Sequence, residues 1–248
     1  MRSFEKSDLY FVFFVSLFAF TFVHASRIFL TLYALKLGAQ SAVVGMLAAT
    51  YSAFPMILSW QAGRIADRIG SRRPLMFAGV CGGCGMLIPY AAPGLVSLFA
   101  AAALNGLAFT FLVVATQNLV GLLSTEENRT LNFSNYSLVV STAAFLGPLF
   151  SGFSIDHGGY EVSCLYLFLM ALAPVGMLAV WGGGLPAGTI KKRTSGGVKN
   201  MLLGSGLGRI LTTSSLVITG IALFQFYLPI YGRGIGLSAS AIGIVLAM

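Results

Sequence analysis

Apolar residues come in long runs along this chain, each closed by a short polar or glycine-rich break. The runs cover about 9–35, 42–62, 74–92, 95–123, 130–153, 162–184 and 210–231, and a last one opens at 238. A helix needs about 20 mainly apolar residues to cross a hydrocarbon core of roughly 30 Å. The pattern therefore predicts seven membrane-crossing helices and the start of an eighth. Pro93-Gly94, the cluster Asp156-His157-Gly158-Gly159, and Gly182–Gly184 followed by Pro186 supply turns between them. The expected class is an all-α polytopic membrane protein.

Composition agrees with that pattern and charge gives it a direction. Hydrophobic residues make up 57% and charged residues 9%, with a mean hydropathy of +0.87, whereas a soluble domain carries roughly 25% charged residues. The net charge of +8 does not point to nucleic acid, because the basic residues gather in particular breaks. With the N-terminus in the cytoplasm, Arg2, Lys6, Arg64, Arg68, Arg72, Arg73, Arg129, Lys191, Lys192, Arg193, Lys199 and Arg209 all fall inside. Only Lys36 and Arg233 fall outside. This asymmetry follows the positive-inside rule and predicts a multi-pass protein of the plasma membrane, the inner membrane in a bacterium.

Residues 185–209, rich in glycine, lysine and serine, read as a cytoplasmic linker between a six-helix unit at 1–184 and the residues 210–248. Arg2 and Lys6 ahead of an apolar stretch ending in Val23-His24-Ala25 also fit a cleavable secretory signal. The apolar run continues to about Leu35, and Glu5 and Asp8 dilute the basic head, which favours a retained first helix. The three cysteines form no disulfide framework. Cys81-Gly-Gly-Cys84 lies within an apolar run without a histidine nearby, where small residues let helices approach closely. No metal or cofactor is expected.

The chain also repeats itself. Shifted by 198 residues, the first helix-turn-helix lies on the last without a gap. Leu30, Tyr33, Gly38, Gly45 and Ala49 then meet Leu228, Tyr231, Gly236, Gly243 and Ala247. Matching glycines after a matching tyrosine mark a duplicated unit, although apolar sequence inflates such matches.

The densest charge cluster of the first hundred residues is Gly63-Arg64-Ile65-Ala66-Asp67-Arg68-Ile69-Gly70-Ser71-Arg72-Arg73. Its spacing resembles the signature loop between the second and third helices of the major facilitator superfamily of secondary transporters. The resemblance implies two six-helix halves. The chain then supplies the N-terminal bundle, helix seven and part of helix eight, with four helices of that architecture beyond Met248. It also implies a gating role for the loop, stabilising an outward-open state where the halves meet. Gly63 would permit close approach to a neighbouring helix and Gly70 keeps the motif spacing. Asp67 would sit near a helix N-terminus or an arginine, and Arg68, Arg72 and Arg73 would pair with carboxylates or lipid phosphates. Ser71 stands where the family usually has a basic residue, and the positive-inside rule alone also accounts for the arginines.

Arg27 is the basic residue deepest in an apolar run, and an ionisable group at such depth is a functional candidate. His24 lies one turn away, on the same helical face as Ser16, Arg27 and Thr31. Under the repeat, Arg27 corresponds to Gln225. In the superfamily the first helix of each half lines the central cavity, so Arg27 and Gln225 would face one another there, an arrangement suited to a carboxylate or phosphate. The competing reading has Arg27 snorkelling to the headgroups and His24 packing. Thr110 with Gln117, and Asn135 with Thr142, share helical faces that would line a polar path or tie helices together. Ala143-x-x-x-Gly147-Pro148-x-x-Ser151-Gly152 resembles, with two glycines replaced, a motif of the superfamily's antiporters, with a bend at Gly147, Pro148 and Gly152. The antiporters' arginine in helix four is missing.

The expected function is movement of a small solute across the bilayer by alternating access, with organic-anion transport or efflux as the particular forms and proton coupling open. The alternatives are a remnant that does not transport and an intramembrane enzyme. The apolar runs hold no catalytic constellation for the latter.

Overall fold

The computed structural model describes residues 6–185 and 207–247. In chain order they form α1 (Lys6–Lys36), α2 (Ser41–Ile69), α3 (Arg72–Ala91), α4 (Leu95–Leu123) and α5 (Arg129–Val180). A short 3-10 turn follows at Gly182–Gly184, then α6 (Leu207–Gly234) and α7 (Ala239–Ala247). Most of the expected linker, with Lys191, Lys192, Arg193 and Lys199, lies outside the described residues, as does Arg2. Six of these helices are long and apolar enough to cross a membrane. α7 corresponds to the expected start of an eighth.

Two expectations change. The fifth and sixth apolar runs are not joined by a loop: α5 runs for 52 residues and leaves helical angles at a single residue, Gly159, with φ 70° and ψ 178°. A straight helix of that length would measure about 78 Å at ~1.5 Å per residue, far more than a bilayer. α5 instead folds back on itself at Gly159. Its first arm rises along α1, with Tyr136 against Phe20 and Gly147 against His24, and Tyr160, just past the break, packs on Phe29 and Tyr33. Its second arm descends along α3, with Gly83 against Phe168, Gly79 against Val175, and Arg72 at the level of Leu178. A positive φ carries no Cβ penalty in glycine, so one residue does the work of a turn.

The arginine-rich segment is the second change. It is helical almost throughout, because α2 continues to Ile69 and α3 begins at Arg72. Ala62 and Ala66 are buried four residues apart on one face of α2, which carries the helix past the apolar run. Gly70, with φ 81° and ψ 162°, then ends it.

The repeat reaches the hydrogen bonds. Gly38 has φ 79° and Gly236 φ 82°. Gly38 N–H donates to Leu35 O at 3.1 Å and Ala39 N–H to Ala34 O at 3.0 Å; Gly236 N–H donates to Arg233 O at 3.1 Å and Leu237 N–H to Gly232 O at 2.9 Å. Each pair is the Schellman closure of a helix end, placed 198 residues apart.

α1 is the most enclosed span: its apolar window is 61% buried, against 17% for α2. Glycines set the close crossings around it. A Cβ on Gly82 would fall 2.6 Å from Phe22, and one on Gly147 would fall 2.5 Å from the His24 Cβ. Through Gly38 and Gly70 the chain alternates faces. One face carries Arg64, Arg68, Arg72, Arg73 and Arg129, and the other carries the turns at Gly38, Gly159 and Gly236. α6 touches the first five helices near this second face only: residues 209–224 are exposed, and burial begins at Gln225.

Gly70 occupies backbone space that is essentially reserved for glycine, where other residues are strained by about 1–3 kcal/mol. Gly70→Ala is expected to lower the thermal unfolding midpoint in detergent. Gly176→Ala, at a helical position with open space around it, should keep the midpoint or raise it. Equal midpoints for the two variants contradict this account.

Candidate functional site

Arg27 sits nine residues before the end of α1, about 13 Å below the second face at ~1.5 Å per residue. Its side chain does not run along the helix toward the headgroups. It crosses to α2, with the guanidinium 5.2 Å from the Tyr51 ring centroid and Nη2 donating to Ser52 Oγ at 3.2 Å. This cation–π contact is worth about 0.5–2 kcal/mol. Ser52 lies eleven residues into α2, so the two groups meet at the same depth. Among the described residues no carboxylate pairs with Arg27.

Two cavities meet at this residue. One, of about 230 Å³, lies toward the second face and is lined by Arg27, His24, Thr31, Ser52, Pro148 and Gln225, with Phe226 and Leu246 from α6 and α7. The other, of about 430 Å³, lies toward the arginine-rich face. It is lined by Arg27, His24, Gln117 and the aromatic rings of Phe20, Tyr51, Phe109 and Tyr136. Arg27 and His24 belong to both. His24 is half-buried and is backed by Gly147. The pair stands as a polar partition between two mainly apolar chambers.

Other candidates are distributed differently. Gln117 lines the larger cavity, whereas Asn135 lines neither, since α5 turns Tyr136, Ser137, Val140 and Ser141 to that chamber instead. Tyr136 was not singled out in the sequence. Its hydroxyl meets Thr116 Oγ1 at 2.9 Å and so ties α5 to α4 at the cavity wall. Thr110 and Thr142 bond the carbonyls four residues back on their own helices, and neither forms a tie between helices. Around Pro148 the backbone stays helical. What Gly147 and Gly152 show is proximity: a Cβ on Gly152 would lie 2.5 Å from Ala239 O, and one on Gly243 2.5 Å from Pro148 O.

In the arginine-rich segment the residues part company. Arg72 donates from Nε to Leu178 O at 3.1 Å and from Nη2 to Ala179 O at 3.3 Å. It thereby caps two carbonyls in the last turn of α5, where positive charge is favourable; Leu178 O also accepts the Trp181 N–H. The expected carboxylate or lipid phosphate is replaced here by backbone. Ser71 is fully buried and accepts a hydrogen bond from Asn118 Nδ2 at 3.2 Å. A long basic side chain has no room there, which accounts for the departure from the motif. Asp67, Arg68 and Arg73 are exposed. Gly63 has Val114 4.0 Å from where its Cβ would be, so no described neighbour presses on it. Cys81, Cys84 and Cys164 are free thiols, Cys84 exposed and the other two buried.

Membrane-length helices, a duplicated helix-turn-helix and two cavities that meet at Arg27 describe a helical polytopic membrane protein. The sequence model described as Major Facilitator Superfamily matches residues 9–248. The chain belongs to this family of secondary transporters, which is not a family of enzymes. Comparison with curated proteins gives no match. Among solved structures, a bacterial homolog of the human lysosomal transporter Spinster, inward-facing and unoccupied, is similar at TM-score 0.69 and 14% identity, over 97% of this chain and 59% of that one. A POT family transporter in complex with 5-aminolevulinic acid is similar at TM-score 0.66 and 17% identity, over 89% and 47%. The peptide transporter POT in complex with sulfate gives TM-score 0.59 and 20% identity, over 91% and 50%. The chain thus spans about half the length of these transporters, and identities this low carry the fold alone.

Arg72→Met keeps the side-chain bulk and removes both bonds to the end of α5. Hydrogen bonds from a charged group are worth about 1.5–3 kcal/mol, so the variant should melt several degrees below the parent in detergent. Arg73→Met, at an exposed neighbour, serves as the control and is expected to melt with the parent.

Proposed function

We propose that the protein takes part in moving a small organic anion across a plasma membrane by alternating access, with Arg27 as the group that holds the anion. The observation that carries this reading is the half-buried guanidinium between two chambers, which among the described residues has no carboxylate partner. A charge at that depth is retained where it serves a substrate path, and a buried cation without a counter-ion is costly. An arriving carboxylate or phosphate supplies the missing partner through a charge-assisted, bidentate contact. The aromatic walls of the larger cavity favour an anion with an apolar body. Gln117 and Gln225 offer amide hydrogen bonds from the two sides of Arg27, and His24 stands where a proton would travel with the anion.

Orientation follows from the basic residues. The face with Arg64, Arg68, Arg72, Arg73 and Arg129 is cytoplasmic, in a bacterial inner membrane, and the N-terminus lies on the same side. Residues 1–184 act as one rocking bundle, 185–209 as the tether, and 210–248 as part of the opposing bundle. Gly63, Asp67, Arg68, Gly70, Arg72 and Arg73 form the cytoplasmic latch where the bundles meet in the other state. The exposure of Asp67 supports this, because its carboxylate is free to cap or pair with an incoming element.

Proteoliposomes holding the protein should take up radiolabelled benzoate. Arg27→Gln should reduce that uptake by more than tenfold without lowering insertion, since a bidentate charged contact is worth more than 1.4 kcal/mol. Retained uptake by Arg27→Gln excludes Arg27 as the anion's partner. Asp67→Asn should slow transport while leaving anion binding and insertion intact. A parental rate in that variant removes the segment from gating.

A further inference from the structure

We propose that Asp156 is the closing latch of the face opposite the arginines: its carboxylate, at the tip of the first arm of α5, caps the N-terminus of α7 and holds the two groups of helices together. The inference rests on the two groups moving relative to one another. It does not depend on which solute is carried.

Asp156 Oδ1 accepts the Ala239 N–H at 3.1 Å and Oδ2 accepts the Ser240 N–H at 2.8 Å. Oδ2 also accepts the Ser240 hydroxyl. The first N–H groups of a helix have no intrahelical acceptor and carry its positive dipole end. A carboxylate there is favourable, and it normally comes from the residue just before the helix. Here that local residue, Ser238, takes the Ala241 N–H at 3.2 Å and meets the Ser240 hydroxyl at 3.2 Å. The other two donors are satisfied from 83 and 84 residues away. The hydrogen bonds described between the first five helices and α6–α7 all end on Asp156.

The steric pattern beneath the cap points the same way. Pro148, Gly152 and Asp156 are spaced by four and so form one stripe along α5. α7 lies along that stripe with Gly243 on Pro148 and Ala239 on Gly152, at distances that leave no room for a Cβ on either glycine. This seal closes the roof of the 230 Å³ cavity, whose lining includes Pro148 and Leu246. Farther from this face α6 stands clear of the first five helices. Opening the smaller chamber toward this face requires α7 to leave the stripe, and the Asp156 hydrogen bonds are then the polar contacts that break.

Spin labels on Cys replacements at exposed Glu161 and Ile235, in a Cys84→Ser background, read the separation across this seam in nanodiscs by pulsed electron paramagnetic resonance. The parent should give one narrow distribution. Asp156→Ala should lengthen or broaden it by more than about 2 Å, the scale that separates rearrangement from rigid behaviour. Asp156→Asn, which keeps an acceptor but loses the charge, should fall between them. Ser240→Ala removes one donor and should give a smaller shift of the same sign. Ser238→Ala removes the local cap and a hydroxyl beside that of Ser240, and should shift the distribution less than Ser240→Ala does. If Asp156→Ala does not fold, the Asn and Ser240 variants carry the test. Parental distributions in all of them overturn the latch, and so does an opening in Ser238→Ala equal to that in Asp156→Asn. No solute is present in this measurement, so a failure of anion uptake in the Arg27 experiment leaves its outcome intact.

Discussion

Hydrocarbon offers no hydrogen bonds, so each polar group in these helices has to find a partner within the protein. The chain meets most of that demand inside single helices. Thr21 bonds Leu17 O, Thr31 bonds Arg27 O, Thr110 bonds Gly106 O and Thr142 bonds Leu138 O, each one turn back. A hydroxyl satisfied this way has used its one donor and can tie helices only as an acceptor. Cohesion then falls to close packing at Gly79, Gly82, Gly106 and Gly147, where neighbouring atoms fill the space of a missing side chain. Against this background polar links between helices stand out as positional devices, among them Asn118 to Ser71, Tyr136 to Thr116, Tyr160 to Leu32 O, and Arg72 to the end of α5.

Arg27 is the exception to this local economy. A guanidinium has five donors, and a serine hydroxyl with an aromatic face satisfies few of them. The duplication sharpens the point. At offset 198 the scaffold matches down to its turn hydrogen bonds, yet the positions lining the cavity differ, Arg27 in one copy and Gln225 in the other. The frame is duplicated and the chemistry is one-sided.

Much of this was legible in the sequence, for physical reasons. Run length is set by bilayer thickness, so most spans came out within a few residues, with α2 running seven residues past its expected end. The repeat could be seen because a Schellman turn is encoded locally by a glycine and the residues just before it. What escaped depends on tertiary packing. Nothing in Gly158-Gly159 says that one residue replaces a loop, and nothing in Gly63–Ile69 says that α2 continues through a charged segment. Face assignments drifted as well. Thr110 and Gln117 are seven apart, close to two helical turns but offset by roughly 20°, and only Gln117 reaches the larger cavity. Asp156 looked like a turn residue because its partners are more than eighty positions away.

The loopless break at Gly159 joins the two arms of α5 through a single pair of soft backbone torsions. Slack is absent from such a joint. Asp156 sits at the tip of one arm, and Arg72 grips the far end of the other. A pull on the tip therefore travels down a stiff rod to the opposite membrane surface, and the chain carries a mechanical line between its two faces that passes around the solute chamber instead of through it.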